Sequence, residues 1–172
     1  MKTKTLNFII WITILTGTLF SCNSDDDRNT AARSSGSIDV FIDGSSTPTQ
    51  YASNIQAADN PLPQSTGFST VFKIEARETG GSVFRFSLAP GTTVPTVVNT
   101  PATEIITGPI SQRLRIDGLL IDDSASNALT VSYTQFGANT GDPIKLSIIG
   151  TYFINGDTNA HTIDCQIDIT RD

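Results

Sequence analysis

Ile144-Lys145-Leu146-Ser147-Ile148 and Ile163-Asp164-Cys165-Gln166-Ile167-Asp168-Ile169 are two runs in which every second residue is apolar. A period of two sends successive side chains to opposite faces of an extended chain, so each run reads as a strand with one buried and one wet face. The first run continues through Gly150-Thr151-Tyr152-Phe153 into Asn155-Gly156-Asp157-Thr158-Asn159, a turn built around an Asn-Gly pair. Alternating strands on either side of such a turn make an antiparallel hairpin. Cys165 falls in the apolar phase of its strand and is expected in the core as a small hydrophobe.

The same signature recurs upstream. Ile38, Val40 and Ile42 alternate with Asp39, Phe41 and Asp43, and Gly44-Ser45-Ser46-Thr47-Pro48 supplies turn residues after them. Gln50 to Ala58 fits a strand or a helical turn and is read as a strand, ended by Asp59-Asn60-Pro61-Leu62-Pro63. Gly67 to Glu78 and Ser82 to Leu88 form a second hairpin around Thr79-Gly80-Gly81, with Phe68, Phe72, Ile74, Phe84 and Phe86 in the apolar phase. Pro90, Gly91, Pro95 and Pro101 make the following stretch irregular, with short pairings available at Val94, Val97 and Val98. Thr103 to Thr107, Arg113 to Ile116 and Leu129-Val131-Tyr133 add further short strands, and Gly118 to Ile121 leads into a turn at Asp122-Asp123-Ser124. No long segment has helical periodicity. The expectation is an all-β fold of about eight to ten short strands, an antiparallel β-sandwich or a barrel-like domain.

The first residues are of another kind. Lys2 and Lys4 precede an apolar segment from Leu6 to Phe20, shorter than the roughly 20 residues needed to span a bilayer. That order describes a secretory signal peptide. Leu19-Phe20-Ser21-Cys22 resembles a bacterial lipobox, although Phe20 stands where a smaller residue is commoner. The resemblance implies cleavage before Cys22, a lipid on its thiol and acylation, palmitate among the acyl groups, of the new amino terminus. Several acyl chains anchor stably where one binds only marginally. The following Asn23-Ser24-Asp25-Asp26-Asp27 resembles the surface-export signal of Bacteroidota lipoproteins. It implies an outer-membrane protein facing outward, with Asp25, Asp26 and Asp27 as the signal. The C-terminal hairpin, with Gly150 and Tyr152 before its turn, is similar to a family of small flavobacterial lipoproteins of uncharacterised function. The expected organisation is a leader over residues 1–21, a lipidated acidic tether over 22–36 and a single β domain over 37–172.

Cleavage would leave 151 of the 172 residues and, with Lys2 and Lys4 gone, move the formal charge from −6 to −8. An acidic chain without a basic run argues against nucleic acid as a partner. With Cys22 lipidated, Cys165 has no partner for a disulfide, and one histidine, His161, is too few for most zinc sites. Asp122-Asp123-Ser124 and Asn155 to Asn159 offer hard oxygen ligands but lack the spacing of a calcium loop, so no metal or cofactor is expected. No nucleophile elbow or phosphate loop surrounds His161. The carboxylates Asp39, Asp43, Glu75, Asp117, Asp164 and Asp168 mostly fall in the outward phase, where they solubilise.

The resulting expectation is a non-enzymatic binding or structural domain, joined to the membrane through Cys22, with a protein or glycan partner. Phe41, Tyr51 and Tyr133 are the candidate ligand-binding aromatics, because the only tryptophan, Trp11, lies in the leader. A periplasm-facing accessory subunit of an outer-membrane complex and a carboxylate-dependent glycan hydrolase are the alternatives. A groove floored by Phe41 or the tyrosines would favour a glycan, and an exposed apolar patch or bare sheet edge would favour a protein.

Overall fold

A computed structural model of the chain describes residues 34–61, 70–88 and 102–172. Among these, ten strands form two antiparallel sheets. The strands are β1 (Gly36–Ile42), β2 (Thr49–Tyr51), β3 (Ser53–Pro61), β4 (Thr70–Arg77), β5 (Val83–Ser87), β6 (Ala102–Thr107), β7 (Leu114–Ile116), β8 (Ala128–Phe136), β9 (Pro143–Tyr152) and β10 (His161–Thr170). The six-stranded sheet runs β2-β1-β10-β9-β8-β6 and the four-stranded sheet β3-β4-β5-β7. Neither closes on itself, which settles the architecture as a sandwich rather than a barrel.

Alternation decides which side of each strand meets the other sheet. Ile163, Cys165, Ile167 and Ile169 of β10 are all buried, as are Ile144, Leu146 and Ile148 of β9. Across the interior, Ile74, Phe84, Phe86 and Leu114 supply the facing layer. Aromatic pairs join the two sheets. Tyr51 meets Phe84 at 5.7 Å between ring centroids, and Phe136 meets Phe72 edge-on at 4.9 Å. Both lie within the range in which tilted rings attract.

Turn chemistry fixes the corners. Asp43 and Gly44 have φ of 51° and 71°, and Ser45 N donates to Ile42 O at 3.0 Å. Two consecutive positive φ values define the tight turn that Asp-Gly favours between antiparallel strands. Asn127, 1 % exposed, is fully engaged: its Nδ2 donates to Gly108 O and Asp122 O, and its Oδ1 accepts from Phe153 N. One amide thereby ties three loops together. Asp172 does similar work, accepting from Ser34 N and Oγ and from Ala57 N.

Several expectations need correction. Asp59 to Pro61 does not break the chain but completes β3, pairing with Phe72, Val71 and Thr70. Proline is tolerated there because β3 is the edge of its sheet. The stretch Gly118 to Ile121 contributes one bridge, Ile121 to Ile154. Phe68 and the stretch from Pro90 to Val98 lie outside the described residues, as does Pro101.

Candidate functional site

Ligand contact requires exposed chemistry, and the outer face of the six-stranded sheet is where the strand registers assemble it. The pairings align outward residues into rows that cross the strands. One row reads Phe41, Asp164, Ile149, Thr130, Ile105 from β1 to β6. On one side lies Thr162, Thr151, Ala128, Thr107. On the other lies Gln50, Asp39, Gln166, Ser147, Ser132, Thr103. A row with Phe41, Ile149 and Ile105 on alternate strands is thus framed by two mainly polar rows.

Ile105 and Ile149 are 72 % and 49 % exposed and, with Leu120, are the exposed large aliphatic side chains among the described residues. Phe41 is half-buried at the far end of their row. It lines a shallow hollow of about 490 Å³ with Gly44, Ser45, Ile149, Thr151, Thr162 and Asp164. A second hollow of about 300 Å³ opens beside Ser37, Asp39, Lys145, Ser147, Gln166 and Asp168. Its charges are locally paired: Lys145 Nζ meets Asp168 Oδ2 at 2.9 Å, and Gln50 Nε2 donates to Asp39 Oδ1 at 2.9 Å.

The wall of the larger hollow is braced from beneath. Asp43 accepts from Thr162 N at 2.9 Å and faces His161 Nδ1 at 2.8 Å. His161 Nε2 faces Asp157 at 3.1 Å. Ionised carboxylates only accept, so both contacts are hydrogen bonds together when the ring carries a proton on each nitrogen, and the pair favours the imidazole cation. The hydrogen bond to Asp43, then that to Asp157, raises the His161 pKa above its ordinary value. His161 in turn lowers that of Asp43, and the Asn159 backbone followed by His161 lowers that of Asp157. Tyr152 packs against the histidine ring at 5.5 Å, and burial pushes its hydroxyl up to about 12. This cluster is a brace.

A second polar cluster sits between the sheets. Glu104 of β6 points inward, and Arg113 meets it with both terminal nitrogens, at 2.7 and 3.2 Å. Tyr133 Oη donates to the same carboxylate at 3.0 Å, while Arg113 Nε donates to Ser87 O. Burial alone would raise the Glu104 pKa, but Arg113's hydrogen bonds and charge, with Tyr133, bring it below the ordinary carboxylate range. Tyr133 itself is pushed far up by burial.

Of the expected binding aromatics, only Phe41 reaches the outer face. Tyr51 and Tyr133 are 2 % and 4 % exposed, and both face the core. Neither ring is open to a ligand, which corrects their assignment as platforms. Cys22, Asp25, Asp26 and Asp27 lie outside the described residues. Asp122-Asp123-Ser124 and Asn155 to Asn159 are capped turns: Asp122 accepts from Ser124 N, and Asp157 accepts from Asn159 N. The candidate site residues that sequence reading missed are Ile105 and Ile149. Each sits beside a second isoleucine that takes the buried position, and that doubling was the available signal.

No protein-family model matches the chain, and no curated protein or solved structure is significantly similar to it.

Proposed function

We propose that this chain is a lipid-anchored, non-enzymatic binding domain of the bacterial outer membrane, displayed on the cell surface. In this reading Cys22 carries the lipid, Asp25, Asp26 and Asp27 direct outward export, and the β-sandwich is the binding head. One observation supports the binding role above the rest: a polar sheet face crossed by a row that exposes Ile105 and Ile149 and ends in the Phe41 hollow. Ile105 and Ile149 leave apolar surface in water that an occupant laid along the row would cover. The carboxylates on this face are engaged with strand neighbours, Asp168 with Lys145 and Asp39 with Gln50. That arrangement suits a surface better than a catalytic pair.

The test combines lipid labelling with protease treatment of intact cells. Radiolabelled palmitate is expected on the wild type and absent from Cys22→Ala, and added protease is expected to remove the wild-type protein. An Asp25/Asp26/Asp27→Ala triple variant is expected to become protected. An unlabelled wild type refutes the anchor. A labelled but protected wild type refutes surface display and places the domain on the periplasmic side.

A further inference from the structure

We infer that the outer face of the six-stranded sheet binds a neutral, extended polysaccharide, a single β-1,4-linked chain laid across the strands along the Phe41–Ile149–Ile105 row. The inference rests on the binding role proposed above and adds the ligand class.

Spacing carries the argument. Neighbouring strands lie about 4.8 Å apart, so apolar side chains on β1, β9 and β6, each separated by one strand, recur about every 10 Å. An extended β-1,4-linked pyranose chain advances by nearly one strand spacing per sugar. Alternate sugars then set their C–H faces on Phe41, Ile149 and Ile105. The sugars between meet Thr130, able to donate or accept, and Asp164, whose Oδ1 accepts from Gln166 Nε2 and whose Oδ2 can accept from a sugar hydroxyl. The flanking rows lie about 7 Å to either side, two residues along each strand. Such a chain is a ribbon with an apolar face and hydroxyls along both edges. Thr162, Thr151 and Thr107 meet one edge, and Gln166, Ser147 and Ser132 the other.

Charge narrows the class. Among the described residues this face carries Asp39, Asp164 and Asp168 against one cation, Lys145, which is already paired. A polyanion would be repelled. Twist narrows it further. Adjacent strands rotate by about 20–25°, so the row winds and cannot lie flat on a crystalline surface. A soluble single chain can follow it.

The experiment is affinity electrophoresis of the full chain in native gels containing hydroxyethylcellulose, glucomannan, dextran or polygalacturonate. Hydroxyethylcellulose and glucomannan are expected to retard the protein, and dextran and polygalacturonate to leave its mobility unchanged. Phe41→Ala and Ile149→Thr are each expected to weaken retardation about tenfold, the scale of one lost apolar contact. Ile149 is exposed, so its variant is expected to keep the wild-type melting temperature even if the Phe41 variant does not fold. Leu120→Ser, at a position 68 % exposed on the loop after β7 and lining neither outer-face hollow, is expected to bind like wild type. Retardation by no gel overturns the inference. So does equal retardation by dextran or polygalacturonate, or full retention by folded Ile149→Thr. A flat panel alongside a labelled, protease-sensitive protein removes the ligand assignment and leaves the anchored location standing.

Discussion

Replacing Arg113 with methionine isolates the inter-sheet cluster, because methionine keeps the length of the arginine stem and removes only its charged head. The change deletes two hydrogen bonds to Glu104, one to Ser87 O, and the guanidinium 5.8 Å from the Phe86 ring centroid. What remains is a Glu104 carboxylate whose side chain is 24 % exposed, with the Tyr133 hydroxyl as its one remaining hydrogen-bond partner among the described residues. Orphaning a fully buried charge costs roughly 3–5 kcal/mol, and partial solvation here reduces that to about 2–3 kcal/mol near neutral pH. For a domain of this size the melting temperature should fall by about 8–12 °C. The pH dependence is the sharper test. In the wild type, Glu104 has a lowered pKa, so its contribution is present above about 4.5 and is lost as pH falls through the folded value. In the variant the Tyr133 hydrogen bond is left to oppose burial without Arg113, so the Glu104 pKa rises relative to wild type and the group disfavours folding increasingly as pH rises. The stability difference between variant and wild type should therefore grow from pH 4 to pH 7, as measured by urea unfolding at each pH. A difference below about 0.5 kcal/mol, or one that does not vary with pH, would refute the reasoning.

Two further outcomes follow from local geometry. A Cβ on Gly150 would stand 2.1 Å from Ala128 O and 2.9 Å from Leu129 Cα, both backbone atoms of the paired strand. Gly150→Ala should cost about 3 kcal/mol in urea unfolding, and a loss below about 1 kcal/mol would show that β8 and β9 can part freely. In the His161 brace, the raised histidine pKa stabilises fully below about 6.5 and its effect is lost as pH climbs through the folded value. The lowered pKa values of Asp43 and Asp157 stabilise above about 3.8 and fail as pH falls. His161→Gln should flatten the alkaline decline in the urea midpoint, and an unchanged decline would remove the histidine from it.

Most of the core could be read from alternation, because each inner-face position depends only on its own strand. Ile163, Cys165, Ile167 and Ile169 are buried as their period of two requires. The burial of Tyr133 was equally readable, since it shares the phase of Leu129 and Val131. Assigning it to a ligand set that local evidence aside. Glu104 was harder to place, because the arginine that makes its inward orientation tolerable arrives from the turn that leads into β7 of the opposite sheet. The Phe41–Ile149–Ile105 row was beyond sequence reading for a similar reason. It exists only once β1 has paired with β10, 120 or more residues away, in one particular register. The length of β3 was misjudged because proline usually ends a strand, and only its edge position makes Pro61 acceptable.

The entry of the chain into the sandwich has a mechanical side. Ser34 is fastened to Asp172, Thr170 N donates to Ser35 O, and from Gly36 to Ile42 the chain runs against β10. Phe41 stands near the other end of that same strand. A pull arriving at Ser34 and resisted at Phe41 would therefore pass along the covalent backbone of β1 itself, leaving its hydrogen bonds to β10 largely unloaded. The four-stranded sheet lies off the force path. A head held at both points can bear tension without drawing its core apart.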